Sequence, residues 1–314
     1  MVSPEFELLK TNRDVRLWER SMNPIVRLLI LSLHISLLSG TVTQCEGQNV
    51  SAAASRSGNG DRTRSFRTID ELLLFFPTKF PDGNWQPDNL QYDDVFFEAA
   101  DKTRLHGWYC PCDEPLAVIL IAHGNAGHVA HRAGWLQYLQ TKARVSTLMF
   151  DYRGYGRSEG KPTVPGVLQD AQAARAKLCE LAEVKTSDLL LMGESLGGAI
   201  VVQLAAESAP RGLILQSTFS SLRDAAGVHF PKLSWLVPKN KLDSFSTISR
   251  YQGPLLQSHG TVDRTIPFSL GEKLHRAANP PKKLLKLPGV GHNNWMTQDY
   301  LDELNRFVGQ TGPR

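Results

Sequence analysis

The chain of 314 residues has little of what marks a specialised class of protein. Its four cysteines are too few for a dense disulfide scaffold. With 35 basic and 31 acidic side chains, the formal net charge is only +4, too small to indicate a surface that binds nucleic acid. Internal repeats of fixed period are lacking as well. Because 41% of the residues are hydrophobic, we exclude collagen-like and wholly disordered chains and expect a globular core.

Long apolar runs are also scarce, and one of them lies near the start of the chain. Residues 25–38 read IVRLLILSLHISLL, which as a helix would rise about 21 Å, less than the roughly 30 Å hydrocarbon core. A basic flank before such a run and small residues after it are typical of a secretory signal. We therefore predict that residues 1–45 form a leader with a cleaved signal. A retained N-terminal anchor and a buried helix are the alternatives.

This leader also bears on where the protein is located. Met22 stands directly before the apolar run and is an alternative start. Cys45 is a weaker candidate for lipidation, because Gln44 precedes it where a small residue is usual. We predict a protein that is exported, either secreted or periplasmic, or anchored through the apolar segment 25–38, and we leave a cytoplasmic location open.

A compositional change separates this leader from the rest of the chain. Residues 46–65 are mostly small or polar and contain few side chains that can pack, which predicts a flexible linker. The folded domain is therefore predicted to comprise residues 66–314.

Within that domain, short apolar runs alternate with amphipathic ones. The strand-like runs are 93–99, 103–110, 117–124, 145–152, 188–193, 212–217, 254–260 and 283–289. The helix-like runs are 131–143, 167–184, 196–209, 269–279 and 297–310. This alternation predicts an α/β fold in which helices cover both faces of a mostly parallel eight-stranded sheet. Functional sites of such sheets lie at the carboxyl ends of the strands.

A G-x-S-x-G pentapeptide, residues 193–197, stands between a predicted strand and a predicted helix. A sharp turn from strand to helix exposes a serine hydroxyl above the sheet in a strained conformation. The helix N-terminus also favours developing negative charge. We therefore predict that Ser195 is a nucleophile, and its alternative role is that of a helix N-cap.

A serine nucleophile needs a base and an acid that orients the base. His292 follows the last predicted strand, and Asp263 follows the strand before it. The order Ser195, Asp263, His292 is that of nucleophile, acid and histidine in one class of serine enzymes. Asp263 has an alternative role as a helix cap, and Asp224, after another strand, is the rival acid.

The glycine-rich turn 123–127 follows a third strand end and is suited to aim backbone N–H groups at an oxyanion. The predicted donors are the N–H of Leu196 and that of Asn125 or Ala126. His123 is expected to support this loop. A metal cluster of His123, His128 and His131 is disfavoured because no cysteine or carboxylate lies at a suitable spacing, so we predict no metal.

Over residues 66–314 the sequence resembles the α/β-hydrolase superfamily, and within it the ABHD-type, bud-emergence-like branch of serine hydrolases. The resemblance rests on the segments 123–128, 150–162, 193–198, 259–267 and 289–295. It implies a catalytic triad of Ser195, Asp263 and His292, an oxyanion hole from the backbone of Asn125 and Leu196, and neither metal nor organic cofactor. Members of the superfamily include esterases, lipases, thioesterases and peptidases, so the resemblance names no substrate.

The interval between the strand-like runs 212–217 and 254–260 leaves room for a small lid at residues 219–251, shorter than most lipase caps. A small lid predicts a shallow pocket for short acyl groups or for a protruding chain. Candidate substrate contacts are Ala126, Glu194, Phe219 and Trp295. The aromatic side chains among them, Phe219 and Trp295, have an equally plausible role in packing on the sheet.

We therefore expect a hydrolase of carboxylic esters or thioesters that acts through an acyl-enzyme on a small-molecule or acylated substrate. The alternatives are an acyltransferase or a peptidase with the same triad, and a hydrolase-like protein that binds without catalysis. The sequence gives no indication of the oligomeric state.

Overall fold

The computed structural model describes residues 68–311. The predicted leader, the linker and the membrane-associating segment 25–38 lie outside the described residues. Within 68–311, no helix is long and apolar enough to cross a membrane.

An eight-stranded sheet forms the centre of the domain. Its strands, in chain order, are β2 (Asp93–Glu98), β3 (Arg104–Cys110), β4 (Ala117–Ala122), β6 (Val145–Asp151), β7 (Leu189–Glu194), β8 (Gly212–Gln216), β9 (Leu255–Gly260) and β10 (Lys282–Leu287). They are arranged in the order β10-β9-β8-β7-β4-β6-β3-β2. Strand β3 is antiparallel to both of its neighbours, and the pairs from β6 to β10 are parallel. The prediction of a mostly parallel eight-stranded sheet is confirmed.

A second, two-stranded parallel ribbon was not expected from the sequence. It pairs β1 (Phe76–Pro77) with β5 (Ala126–Gly127). Because each strand has two residues, neither leaves the alternating pattern by which strands are recognised. The ribbon ties the start of the domain to the glycine-rich turn after β4.

Helices pack on both faces of the large sheet. They are α1 (Ile69–Leu74), α2 (Ala133–Thr141), α3 (Val164–Leu181), α4 (Leu196–Glu207), α5 (Leu222–His229), α6 (Ser244–Ile248), α7 (Phe268–Ala277) and α8 (Gln298–Gln310). Successive strand residues point to opposite faces, so β4 divides its side chains between two cores. Val118 and Leu120 join the core formed with α3 and α4, and Ile119 and Ile121 join the core formed with α2 and α8.

The start of α3 differs from the prediction. The apolar periodicity predicts a helix at 167–184, and the helix begins earlier, at Val164. The Thr163 side chain accepts a hydrogen bond from the Gly166 N–H and so caps the helix, and a proline stands in its first turn. Capping side chains thus set this boundary, which apolar spacing does not report.

The segment predicted as a lid, residues 219–251, contains α5, a short 3₁₀ helix at Ser234–Leu236 and α6. Its apolar side chains divide into two sets. Val237 and Ile248 are buried in the same core as the sheet. Trp235 and Leu236 face solvent, at 68% and 56% exposure.

Helix α4 lies so close to β4 that only glycine fits at one contact. A Cβ on Gly197 would overlap the carbonyl oxygen of Ala122, which is backbone and has no room to move.

We expect Gly197→Ala to lower the free energy of unfolding by about 3 kcal/mol or more, measured by urea denaturation. Gly309→Ala is the control, because Gly309 is helical with open space around it, and should raise that free energy by about 0.5–1 kcal/mol. Equal effects of the two substitutions would contradict this account.

Candidate active site

Ser195 lies at the turn between β7 and α4, at the carboxyl end of a central strand. Its φ of +52° and ψ of −114° fall in a region that residues with a Cβ rarely occupy. Ser195 is the N-cap of α4, but its side chain makes no capping hydrogen bond. Its hydroxyl is therefore not used to cap the N-terminus of the helix. The alternative role as a capping serine therefore lacks the hydrogen bond that would define it.

The contacts around Ser195 hold it in this conformation. Its N–H donates to the Gln216 carbonyl at 2.9 Å, and its carbonyl accepts from the Thr218 hydroxyl at 2.7 Å. Gly198 faces the same threonine, since a Cβ there would lie 2.5 Å from the Thr218 Cβ. Backbone strain persists only where the surroundings determine it, and these contacts do so.

His292 and Asp263 form a hydrogen-bonded pair. The His292 Nδ1 lies 2.7 Å from the Asp263 Oδ2. The rival acid, Asp224, lies in α5 and instead accepts a hydrogen bond from the Lys273 Nζ at 2.7 Å. Of the two candidate acids, the structure brings Asp263 to the histidine.

Both oxygens of Asp263 are engaged. Its Oδ1 accepts hydrogen bonds from the N–H groups of Thr265 and Ile266, at 2.9 and 2.8 Å. Its Oδ2 faces His292 and also the buried Nε2 of His259, at 3.4 Å. Burial alone would raise the pKa of Asp263, but the hydrogen bonds from His259 and His292 outweigh burial and hold that pKa well below its usual range.

Ser195 and His292 are not hydrogen-bonded to each other in this structure. The three side chains nevertheless follow the carboxyl ends of β7, β9 and β10, which lie on one side of the parallel sheet. Hydrogen bonds between catalytic groups are often long before substrate binds. The catalytic roles of Ser195, Asp263 and His292 therefore stay predictions, with one of the two hydrogen bonds in place.

The turn that contains Asn125 is fixed from several directions. The Asn125 side chain donates to the Leu74 carbonyl at 3.0 Å, and the Asn125 carbonyl accepts from the Phe76 N–H and the Tyr155 hydroxyl. Leu196 is the first residue of α4, so its N–H has no acceptor within the helix. This arrangement leaves the predicted oxyanion donors on fixed backbone.

Below this turn, His123 and Asp151 are completely buried. Burial lowers the pKa of His123 to about 3, and its Nδ1 contacts the Gly124 carbonyl at 2.7 Å. The Asp151 carboxylate accepts a hydrogen bond from the Val129 N–H at 2.9 Å. These contacts agree with the supporting role expected of His123, and they place Asp151 beneath the same turn.

The four candidate substrate contacts all have partners within the protein. Glu194 faces the Arg132 guanidinium at 3.7 Å, and Ala126 pairs with Phe76 in the small ribbon. Phe219 and Trp295 are buried, at 2% and 6% exposure. The Trp295 ring packs edge-on against Trp135 and Tyr300. Their role in substrate contact stays a prediction.

Sequence reasoning missed two residues at this site, His259 and Arg132. His259 contacts Asp263, and Arg132 donates to the Ala126 carbonyl while its guanidinium faces Glu194 beside Ser195. Arg132 therefore joins the glycine-rich turn to the nucleophile strand. His259 stands at the carboxyl end of β9, directly before Gly260 and four residues before Asp263, and this position was the signal that could have identified it. Arg132 lies outside the motif segments, so the sequence carried no comparable signal for it.

The strain at Ser195 generates a stability prediction. Glycine adopts the conformation of Ser195 without a steric penalty, whereas alanine keeps the Cβ that causes it. We expect the free energy of unfolding of Ser195→Gly to exceed that of Ser195→Ala by about 1 kcal/mol, measured by urea denaturation. Because both variants lack the hydroxyl, the comparison isolates the backbone. An alanine variant as stable as the glycine variant would show that the conformation carries no strain.

The low pKa of Asp263 generates a second prediction. A folded-state pKa below the unfolded value stabilises the protein above about pH 4, and this contribution is lost as the pH falls further. We expect Asp263→Asn to lower the free energy of unfolding by about 2 kcal/mol at pH 7, and by less at pH 3. Asp113→Asn, at an exposed side chain, controls for removal of one charge. A deficit that is the same at both pH values would contradict the assignment.

The chain is similar in sequence to a family model and to curated proteins. A family model described as serine aminopeptidase, S33, matches residues 113–253. Among curated relatives, the Mycobacterium tuberculosis protein Rv2307c is 36% identical over 248 residues, which cover 76% of this chain and 87% of the relative. The Arabidopsis thaliana alpha/beta hydrolase domain-containing protein WAV2 is 32% identical over 233 residues, which cover 67% of this chain and 75% of the relative.

A solved structure agrees with the fold. The esterase Pf2001 of Pyrococcus furiosus superposes with a TM-score of 0.61 over 76% of this chain and 97% of its own, at 20% identity. At that identity the likeness concerns the fold. The strand order of the sheet, the strained turn at Ser195 and the curated relatives all agree with the sequence motifs. The chain belongs to the α/β-hydrolase family.

Proposed function

We propose that this α/β hydrolase cleaves carboxylic esters through a covalent acyl-enzyme formed on Ser195. The observation that carries the proposal is the strained turn at Ser195, on the side of the sheet where His292 is hydrogen-bonded to Asp263. A strained serine with an unused hydroxyl and a histidine held by a buried carboxylate are the parts that nucleophilic acyl transfer needs.

Each residue has a stated role in the proposed reaction. The Ser195 Oγ attacks the ester carbonyl carbon while the His292 Nε2 accepts its proton. Asp263 holds the Nδ1–H of His292 and stabilises the imidazolium that forms. The alkoxide of the tetrahedral intermediate accepts hydrogen bonds from the backbone N–H groups of Asn125 and Leu196.

The tetrahedral intermediate collapses to the acyl-enzyme, which water then hydrolyses. His292 gives its proton to the departing alcohol, which leaves Ser195 as an acyl ester. Water then attacks the carbonyl carbon of that ester while the His292 Nε2 accepts a proton from the water. The bond between the acyl carbon and the Ser195 Oγ breaks, His292 returns the proton to that oxygen, and the carboxylic acid is released.

Packing of the lid supports a preference for short acyl groups. Val237, Leu242 and Ile248 of the lid are buried in the core that contains the sheet, and Phe219 is buried with them. Apolar side chains that already fill the core are not available to line a long acyl channel. We therefore propose esters of short acids, with thioesters and amides as slower substrates.

Loss of the nucleophile is the first test. A fluorophosphonate probe is expected to label the wild-type protein at Ser195, and Ser195→Ala should lose both labelling and at least about 10⁴-fold of kcat on p-nitrophenyl acetate. Ser220→Ala, at a buried serine in the segment between β8 and α5 and outside the triad, is the matched control and should keep both. Labelling that persists in Ser195→Ala would contradict the proposal.

The same preparation decides the substrate class. p-Nitrophenyl esters of increasing chain length are compared by kcat/KM with a thioester and with an aminoacyl p-nitroanilide. Highest kcat/KM on the short esters supports the proposal. Highest kcat/KM on the anilide would overturn it in favour of a peptidase, and well-folded protein without labelling or turnover would favour a binding protein.

A further inference from the structure

Three side chains that the proposed reaction does not use meet beside the glycine-rich turn. They are Asp82, in the loop after β1, His128, directly after β5, and His131, in the 3₁₀ helix Val129–Arg132. Each offers one ligand atom, and these atoms all lie within 4.8 Å of one another. The His131 Nε2 lies 3.5 Å from the Asp82 Oδ2. The carboxylate that the sequence lacks beside the histidines therefore comes from a distant loop.

His128 is the unusual member of this group. Its side chain is completely buried, yet neither ring nitrogen has a hydrogen-bond partner among the described residues. The ring stacks on His131, with centroids 3.9 Å apart, and lies 4.7 Å from the Trp85 ring centroid. Buried polar atoms are nearly always bonded, so a buried imidazole without a partner calls for an explanation.

The backbone around the histidines leaves space at their ring edges. Gly83 has a φ of +88°, and a Cβ there would lie 2.9 Å from the His128 Cε1 and 3.2 Å from the His131 Nε2. Gly127, with a φ of +75°, approaches the other side of the His131 ring, where a Cβ would lie 3.1 Å from Nδ1. Glycine at both positions lets the main chain pass close to the two rings without filling the space between their ligand atoms.

From these contacts we propose that Asp82, His128 and His131 bind a divalent transition-metal ion, with Zn²⁺ as the best match. Two imidazoles and one carboxylate are a ligand set that Zn²⁺ accepts, with water in the fourth position. Ca²⁺ and Mg²⁺ prefer sites made of oxygen ligands. Coordination gives one His128 nitrogen the partner that it lacks in the protein.

Small side-chain movements complete the geometry. Tetrahedral Zn²⁺ with bonds of about 2.0–2.1 Å places its ligand atoms about 3.3 Å apart. The 3.5 Å between His131 and Asp82 is already close to that value. Asp82 is free to rotate further, because its side chain is 66% exposed.

The proposed ion would stabilise the position of the glycine-rich turn. Zn²⁺ would join the loop at Asp82 to the segment that follows Ala126–Gly127, and so hold the turn that contains Asn125 from a further side. The ion is therefore a structural one, which takes no step in the proposed hydrolysis. The proposal does not depend on the function proposed for Ser195.

The test uses the full chain without an affinity tag, stripped of metal with a chelator. Zn²⁺ is titrated by calorimetry, and Co²⁺ is titrated by visible absorption, which reports its ligand geometry. We expect one saturable site per chain, a Co²⁺ spectrum typical of tetrahedral coordination, and a Tm that rises by about 5–10 °C at a hundredfold excess of Zn²⁺ over its Kd.

Ligand variants decide between this site and any other. Asp82→Asn and His131→Gln are each expected to weaken Zn²⁺ binding by about 100-fold or more, since even the loss of groups around a metal's ligands costs about 10- to 100-fold. Their controls are Asp88→Asn, at an exposed carboxylate nearby, and His229→Gln, at an exposed histidine elsewhere, which should bind like wild type.

Two further variants guard against ambiguity. His128→Gln tests the buried ligand, and circular dichroism checks that this variant folds. If it does not fold, Asp82→Asn still tests the site, because Asp82 lies at the surface. His292→Ala should bind Zn²⁺ as wild type does. Binding that is unchanged in Asp82→Asn and His131→Gln, or that is lost in His292→Ala instead, would overturn the proposal.

Discussion

The close approach of α4 to the central strands is the constraint on which the rest of this structure depends. Gly193 and Gly197 allow the backbone of the strand and that of the helix to lie where any side chain would overlap a carbonyl group. The turn between them has no room to relax, so Ser195 is held at a positive φ. The position of the nucleophile thus follows from backbone packing, and the hydrogen bonds from Ser195 to Gln216 and Thr218 reinforce it.

A second dependence runs through the carboxylate of Asp263. One of its oxygens accepts two backbone N–H groups and so shapes the loop before α7, while the other faces His292 and His259. A carboxylate that accepts several hydrogen bonds is stabilised in its charged form, which counteracts the cost of burial. The alternative role of Asp263 as a helix cap is not observed, because the N-cap of α7 is Pro267 and the two N–H groups that Asp263 binds belong to the loop before the helix.

The glycine-rich turn after β4 is the third element fixed by many partners. Leu74, Phe76 and Tyr155 contact Asn125, and Arg132 joins the neighbouring Ala126 carbonyl to Glu194. Preorganised backbone donors stabilise a developing charge because they need no reorientation during the reaction. The metal site proposed at Asp82, His128 and His131 would add a further support to the same turn.

The sequence by itself determined the strand and helix alternation, the strained turn around Ser195, and the chain order of Ser195, Asp263 and His292. These are local properties: apolar periodicity and glycine spacing report them without reference to distant residues. The small ribbon of β1 and β5 and the start of α3 escaped prediction, since two-residue strands have no period and capping decides a helix boundary.

Only the tertiary structure decided which partner each side chain has. In the structure His292 contacts Asp263, and Asp224 contacts Lys273. Asp82, in the loop after β1, lies beside His128. Trp295 and Phe219 are buried in the structure, whereas the sequence was equally compatible with substrate contact and with packing on the sheet. Such contacts join residues far apart in the chain, and the order and packing of the strands set them, which no local pattern encodes.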